Sequence, residues 1–119
     1  SLDDHLNSIR LFYKDQAQLM VRSMQDYFPK EVTWITPQGG MFVWATLPDG
    51  LKSTVLLDKA IHQNVLFVPG ENFYVGGCDG NESLRMNFSN PSKDEILKGI
   101  KIMGQLIRGM MESVSLTAP

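Results

Sequence analysis

Apolar residues open the chain at three- and four-residue steps: Leu2, Leu6, Ile9, Tyr13, Met20, Met24 and Tyr27, with Gln16 the one polar residue in the stripe. That spacing predicts an amphipathic helix from Leu2 to Phe28, with Phe12 and Leu19 as a weaker second stripe beside it. Pro29 ends it. At 1.5 Å per residue such a helix runs about 40 Å, longer than a domain of this size needs. With two apolar edges it reads as a spine connecting domains. Its abrupt beginning leads us to expect a fragment cut just ahead of it.

The pattern then changes period. Glu31–Ile35 and Met41–Leu47 predict two antiparallel strands joined by the corner Thr36-Pro37-Gln38-Gly39-Gly40. The second strand is apolar on both faces, which predicts that it is covered on both sides or central in its sheet. Ser53 is expected to cap a helix reaching Gln63, with Leu56, Leu57, Ala60 and Ile61 as its buried stripe and Asn64 closing it. Val65–Val68 reads as a buried strand and residues 69–82 as the longest loop. From Ser83 to Ser89 the chain alternates, with Leu84, Met86 and Phe88 on one side and Arg85 and Asn87 on the other. Ser92 and Glu95 make a capping box for a closing helix along Ile96, Ile100, Met103, Ile107 and Met110, expected to fray from Ser113 onward.

The order α-β-β-α-β-β-α predicts an α+β fold: a two-layer sandwich in which a small, mostly antiparallel sheet carries helices on one face and leaves the other partly free. The 119 residues suit one domain, taken as residues 1–119.

Composition narrows the function by exclusion. A net charge of −2 and a pI near 5.6 supply no basic stripe for nucleic acid or an anionic membrane. No apolar run is long enough to span a bilayer, and the N-terminus has neither the basic nor the apolar region of a secretory signal. Cys78 is alone, which rules out an internal disulfide and fits a reducing, cytoplasmic setting. No His or Lys lies close in sequence to activate it. His5 and His62 fall on separate predicted helices and make no metal-ligand spacing, and His62 reads as exposed or structurally satisfied. The seven methionines read as gap-filling core residues.

Arg85 is the residue with chemistry to offer. A guanidinium amid apolar strand neighbours is costly to desolvate without a partner. It is either a structural ion pair on a wet strand face or a rigidly mounted fork for a carboxylate. The strand alone favours the first. Gly39-Gly40 likewise has two readings, a turn needing positive φ or backbone that a ligand approaches. For Phe42 and Trp44, which share one strand face, core packing is the default expectation.

Three segments together change that balance. Pro37-Gln38-Gly39-Gly40-Met41-Phe42-Val43-Trp44, Asn64-Val65-Leu66-Phe67-Val68-Pro69-Gly70-Glu71-Asn72-Phe73-Tyr74 and Leu84-Arg85-Met86-Asn87-Phe88-Ser89 resemble the C-terminal small domain of class I/II, fold-type I aminotransferases. The likeness is strongest to the aromatic, 2-aminoadipate and kynurenine aminotransferase group. It runs through most of the chain.

The resemblance implies a parent enzyme that uses pyridoxal 5′-phosphate to transfer an amino group from an amino acid to a 2-oxo acid, as a cytoplasmic homodimer. It implies that Arg85 grips the substrate α-carboxylate, that Phe42 lines the side-chain pocket, and that Gly40 lets the substrate approach the backbone. Asn87 would neighbour the arginine. The departure is large. None of Lys14, Lys30, Lys52, Lys59, Lys93, Lys98 or Lys101 has the context of a cofactor lysine, and the pyridinium-pairing aspartate and phosphate-binding loop are missing. The chain alone is therefore expected to be inactive, its cofactor held by an N-terminal large domain. Two other readings stand beside this one: a stand-alone module binding or sensing a small acid, and the effector half of an aminotransferase-like transcription regulator.

Overall fold

The computed structural model describes residues 1–35, 40–70 and 82–117. Helix α1 spans Leu2–Tyr27, β1 Thr33–Ile35, β2 Phe42–Thr46, α2 Ser53–Ile61, β3 Val68–Pro69, β4 Ser83–Asn87 and α3 Lys93–Thr117. The predicted order holds. The strands form one sheet in the order β1-β2-β4-β3, and all three pairings are antiparallel.

One sheet face is packed. Val43, Ala45, Leu84 and Met86 point into a core completed by Met20 and Met24 of α1, Leu56 and Ala60 of α2, and Ile96, Ile100, Met103 and Ile107 of α3. Alternation along β4 buries Leu84 and Met86 as expected, but Ser83 is buried too. The backbone of Gly70 lies against it, its N–H donating to the Ser83 carbonyl at 2.8 Å, and a Cβ on Gly70 would come within 2.8 Å of the Ser83 Cβ. A side chain at residue 70 has no room.

Helix ends account for most boundary differences. At α1, Val32 N–H bonds the Pro29 carbonyl, so a turn takes the first residues of the expected strand and β1 starts only at Thr33. At α2 the cap position is Lys52, not Ser53. Leu56 N–H already bonds the Lys52 carbonyl, which places Ser53 inside the first turn with its Oγ buried and without a hydrogen-bond partner. Asn64 closes α2 in the left-handed region, φ 61°, and Val65 N–H returns to the Ala60 carbonyl. That bond commits Val65 to the helix end, which is why the expected strand Val65–Val68 is reduced to Val68–Pro69. The capping box of α3 forms as read: Glu95 N–H donates to Ser92 Oγ at 3.1 Å and Ser92 N–H donates to Glu95 Oε1 at 2.9 Å. The Ser92 backbone N–H, and then the Ser92 hydroxyl, hold the Glu95 carboxyl below its ordinary pKa. The backbone of α3 is helical through Thr117, past Ser113 where fraying is expected to begin, with no glycine or proline between those two residues to stop it.

Gln16, the apparent flaw in the α1 stripe, is a core residue. It is 1% exposed, and its Nε2 donates to the carbonyls of Pro91, at 2.7 Å, and Phe88, at 3.4 Å, pinning α1 to the β4–α3 connection. Ahead of it α1 runs past the core. Leu2, Leu6, Leu11 and Phe12 are all exposed.

Candidate functional site on the open sheet face

Among the described residues, no helix lies on the second face of the sheet. Register places Ile35, Trp44, Arg85 and Val68 in one row across all four strands, and Phe42 opposite Asn87 in the next row of the β2–β4 pair. Residues paired this way project to the same side. The core-packing expectation for Phe42 and Trp44 is therefore corrected. β2 is central, as predicted, but only its Val43/Ala45 side is buried, while Phe42 is half-buried and Trp44 is 36% exposed. The short side chains of Val43 and Ala45 admit helices closely. The broad rings fall on the side without them.

Arg85 lies half-buried on this face. Its guanidinium carbon is 4.6 Å from the centroid of the Phe42 ring and 5.7 Å from that of Trp44. Trp44 is its direct cross-strand partner, so the shorter distance to Phe42 shows the side chain leaning along β2 toward the strand's beginning. Both ring distances are within cation–π range. At that end of the sheet the chain enters β2 through Gly40, whose φ of 73° suits glycine and where a Cβ would meet nothing within 4 Å among the described residues. Gly39 and the segment Glu71–Tyr74 of the second motif lie outside the described residues, as does Cys78.

Asn87 has a local task. Its Oδ1 accepts from Ser89 N–H at 2.7 Å, Ser89 Oγ at 2.8 Å and Asn90 N–H at 3.1 Å. The side chain thus builds the turn that leads β4 toward α3. His62 is satisfied through Nδ1 and the Asp58 carbonyl at 2.7 Å, and is exposed. Among the described residues no cluster of His, Cys, Asp and Glu could hold a metal, and no helix is long and apolar enough to cross a membrane.

The sequence reading missed the pairing of the arginine with two rings. The signal was available: in Met41–Leu47 the small residues alternate with the aromatic ones, and opposite a strand arginine that pattern marks an aromatic face rather than a core face.

The family model for class I and II aminotransferases matches residues 1–102. The chain belongs to the class I and II aminotransferase family. It is 38% identical over 111 residues to aromatic-amino-acid aminotransferase 1 of Thermococcus litoralis, covering 93% of this chain and 26% of that protein. Among solved structures it superposes on an alpha-aminoadipate aminotransferase of Thermus thermophilus, complexed with N-(5′-phosphopyridoxyl)-L-leucine, with a TM-score of 0.86 and 34% identity, over 93% of this chain and 28% of that one. It also superposes on a kynurenine aminotransferase of Pyrococcus horikoshii, with a TM-score of 0.84 and 38% identity, over 92% of this chain and 27% of that one. This aminotransferase chain thus spans about a quarter of the length of these relatives.

Pyridoxal phosphate is the cofactor that the family implies. The residues of this chain do not fit it. Every lysine is exposed on a helix or a flanking turn, at positions 14, 30, 52, 59, 93, 98 and 101, and none is on the sheet with Arg85. No amine is placed to bond an aldehyde beside the guanidinium.

Proposed function

We propose that this chain is the substrate-carboxylate-binding part of an aminotransferase that moves an amino group between an amino acid and a 2-oxo acid, with the cofactor held by other polypeptide. The observation that carries the reading is the position of Arg85, which is half-buried on the uncovered sheet face with its guanidinium against an aromatic ring. A strand fixes the backbone of the arginine and the rings limit its side-chain freedom, so a bidentate bond to a carboxylate costs little further ordering. Amino-acid donors and 2-oxo-acid acceptors share that carboxylate. One fork therefore serves both halves of the exchange and sets the orientation of the carbon that reacts.

Phe42, beside the guanidinium, lines the pocket for the substrate side chain. Gly40 leaves the backbone open to it. The uncovered sheet face and the projecting apolar half of α1 are the surfaces that the cofactor-bearing polypeptide covers.

The test is kinetic, in the full-length enzyme. Arg85→Ala should lower kcat/KM for amino acid and 2-oxo acid alike by about a hundredfold or more, the scale for removing one member of a buried charge pair. Arg85→Lys should recover only a small part, because an ammonium lacks the planar fork. Unchanged KM values in both variants would remove Arg85 from the site.

A further inference from the structure

We propose that Trp44, together with Phe42, is a positioning residue for Arg85: the two rings form an aromatic seat that fixes the guanidinium plane at the height and tilt from which it meets a carboxylate. The inference rests on the carboxylate-binding reading of Arg85 and adds to it what aims the fork.

Three features of the structure lead there. Trp44 is the direct cross-strand partner of Arg85, so strand pairing itself sets the distance between them. The guanidinium carbon is then within 4.6 Å of one ring centroid and 5.7 Å of the other, so it is held from two consecutive same-face positions of β2, Phe42 and Trp44. Finally, the rings are on the side of the sheet without helices, where Trp44 remains 36% exposed.

The chemistry favours arginine on such a seat. A flat, weakly hydrated guanidinium stacks on a ring while its edge N–H groups stay available, whereas a lysine ammonium has no edge to present. The seat contacts the face of the ion, and the fork lies along its edge. It also offsets part of the desolvation cost of keeping a cation half-buried between substrate encounters.

The test is a double-mutant cycle in the full-length enzyme, read as kcat/KM for an α-amino acid and KM for its 2-oxo acid, with thermal melting of each variant alongside. Trp44→Leu should cost about three- to tenfold, the range for a cation–π contact. Trp44→Phe, which keeps a ring face, should recover most of that loss. In an Arg85→Ala background, Trp44→Leu should add less than about twofold, because a seat without its ion has nothing left to aim. Equal losses from Trp44→Leu with and without Arg85, or no rescue by Trp44→Phe, would overturn the inference while leaving the carboxylate reading intact. An Arg85→Ala variant with normal KM would instead sink the carboxylate reading itself. If Trp44→Leu does not fold, Phe42→Leu with and without Arg85→Ala completes the cycle. Coupling of either ring to Arg85 then supports the seat, and additivity refutes it.

Discussion

Gly104 provides the sharpest stability test because two general effects act on it with opposite sign. It lies buried in the interior of α3, where replacing glycine by alanine ordinarily stabilises a helix by about 1 kcal/mol. Here a Cβ would overlap the carbonyl oxygen of Tyr27 and come within 2.9 Å of the carbonyl carbon and 3.5 Å of the Tyr27 Cβ. The obstacle is backbone in the last turn of α1, so no rotamer change relieves it. The two helices must move apart by several tenths of an ångström. That overpacking costs about 1–3 kcal/mol. The same carbonyl accepts a 2.7 Å bond from Arg108 Nη1, and separating the helices weakens it by about another 1 kcal/mol. Set against the propensity gain, Gly104→Ala should destabilise by about 1–3 kcal/mol, a fall in Tm of roughly 4–12 °C at about 4 °C per kcal/mol. Gly109→Ala is the control, in the same helix with nothing within 4 Å of its added Cβ, and it should stabilise by up to about 1 kcal/mol. Urea unfolding checks both, with an unchanged slope and a shifted midpoint as the signature. A Gly104→Ala protein as stable as the parent, or a Gly109→Ala protein that falls in step with it, would refute the close-approach argument.

Other outcomes follow from the same structure. Gln16→Ala should cost about 1–3 kcal/mol in urea unfolding, since it leaves the Pro91 carbonyl without its buried donor, whereas Gln18→Ala on the exposed side of α1 should change little. Asn87→Ala should lose about 1–2 kcal/mol and Asn87→Asp much less, because a carboxylate oxygen accepts the three bonds that build the turn equally well. The Glu95 carboxyl is held below its ordinary pKa of 4.5 by the Ser92 backbone N–H and then its hydroxyl, so its contribution to stability is fully present above that value. It is lost as pH falls through the depressed pKa. The stability difference between the parent and Glu95→Ala should therefore be constant near neutrality and shrink in acid, and a difference that grows on acidification would contradict the capping box. Added pyridoxal phosphate should form no saturable imine with this chain, measured by absorbance and borohydride trapping, because no lysine accompanies Arg85 on the sheet.

What the sequence made legible was whatever repeats with a helix or strand period. Leu84, Met86 and Phe88 against Arg85 gave the buried and open sides of β4, and Ser92 with Glu95 marked the start of α3 to the residue. Ser53 was misread because serine suits both the cap and the first turn, and only the bond from Leu56 to the Lys52 carbonyl decides between them. Gln16 and Gly104 were opaque for a different reason. Their partners, Pro91 and Tyr27, are more than seventy residues away in the chain, and no local pattern encodes a contact across that distance. Phe42 and Trp44 fall between these cases. Alternation put them on one face, but which face of a doubly apolar strand meets the helices is a tertiary choice, made here by the small Val43 and Ala45.

The outer strands carry a last consequence. β1 has three residues and β3 two, one of them Pro69, which has no N–H to donate. Margins this brief give a neighbouring chain almost no ladder to copy. The apolar Ile35, Trp44 and Val68 on the open face are thus framed by edges too short to template fibril growth, which steers contact there toward face-on association with a shaped counterpart.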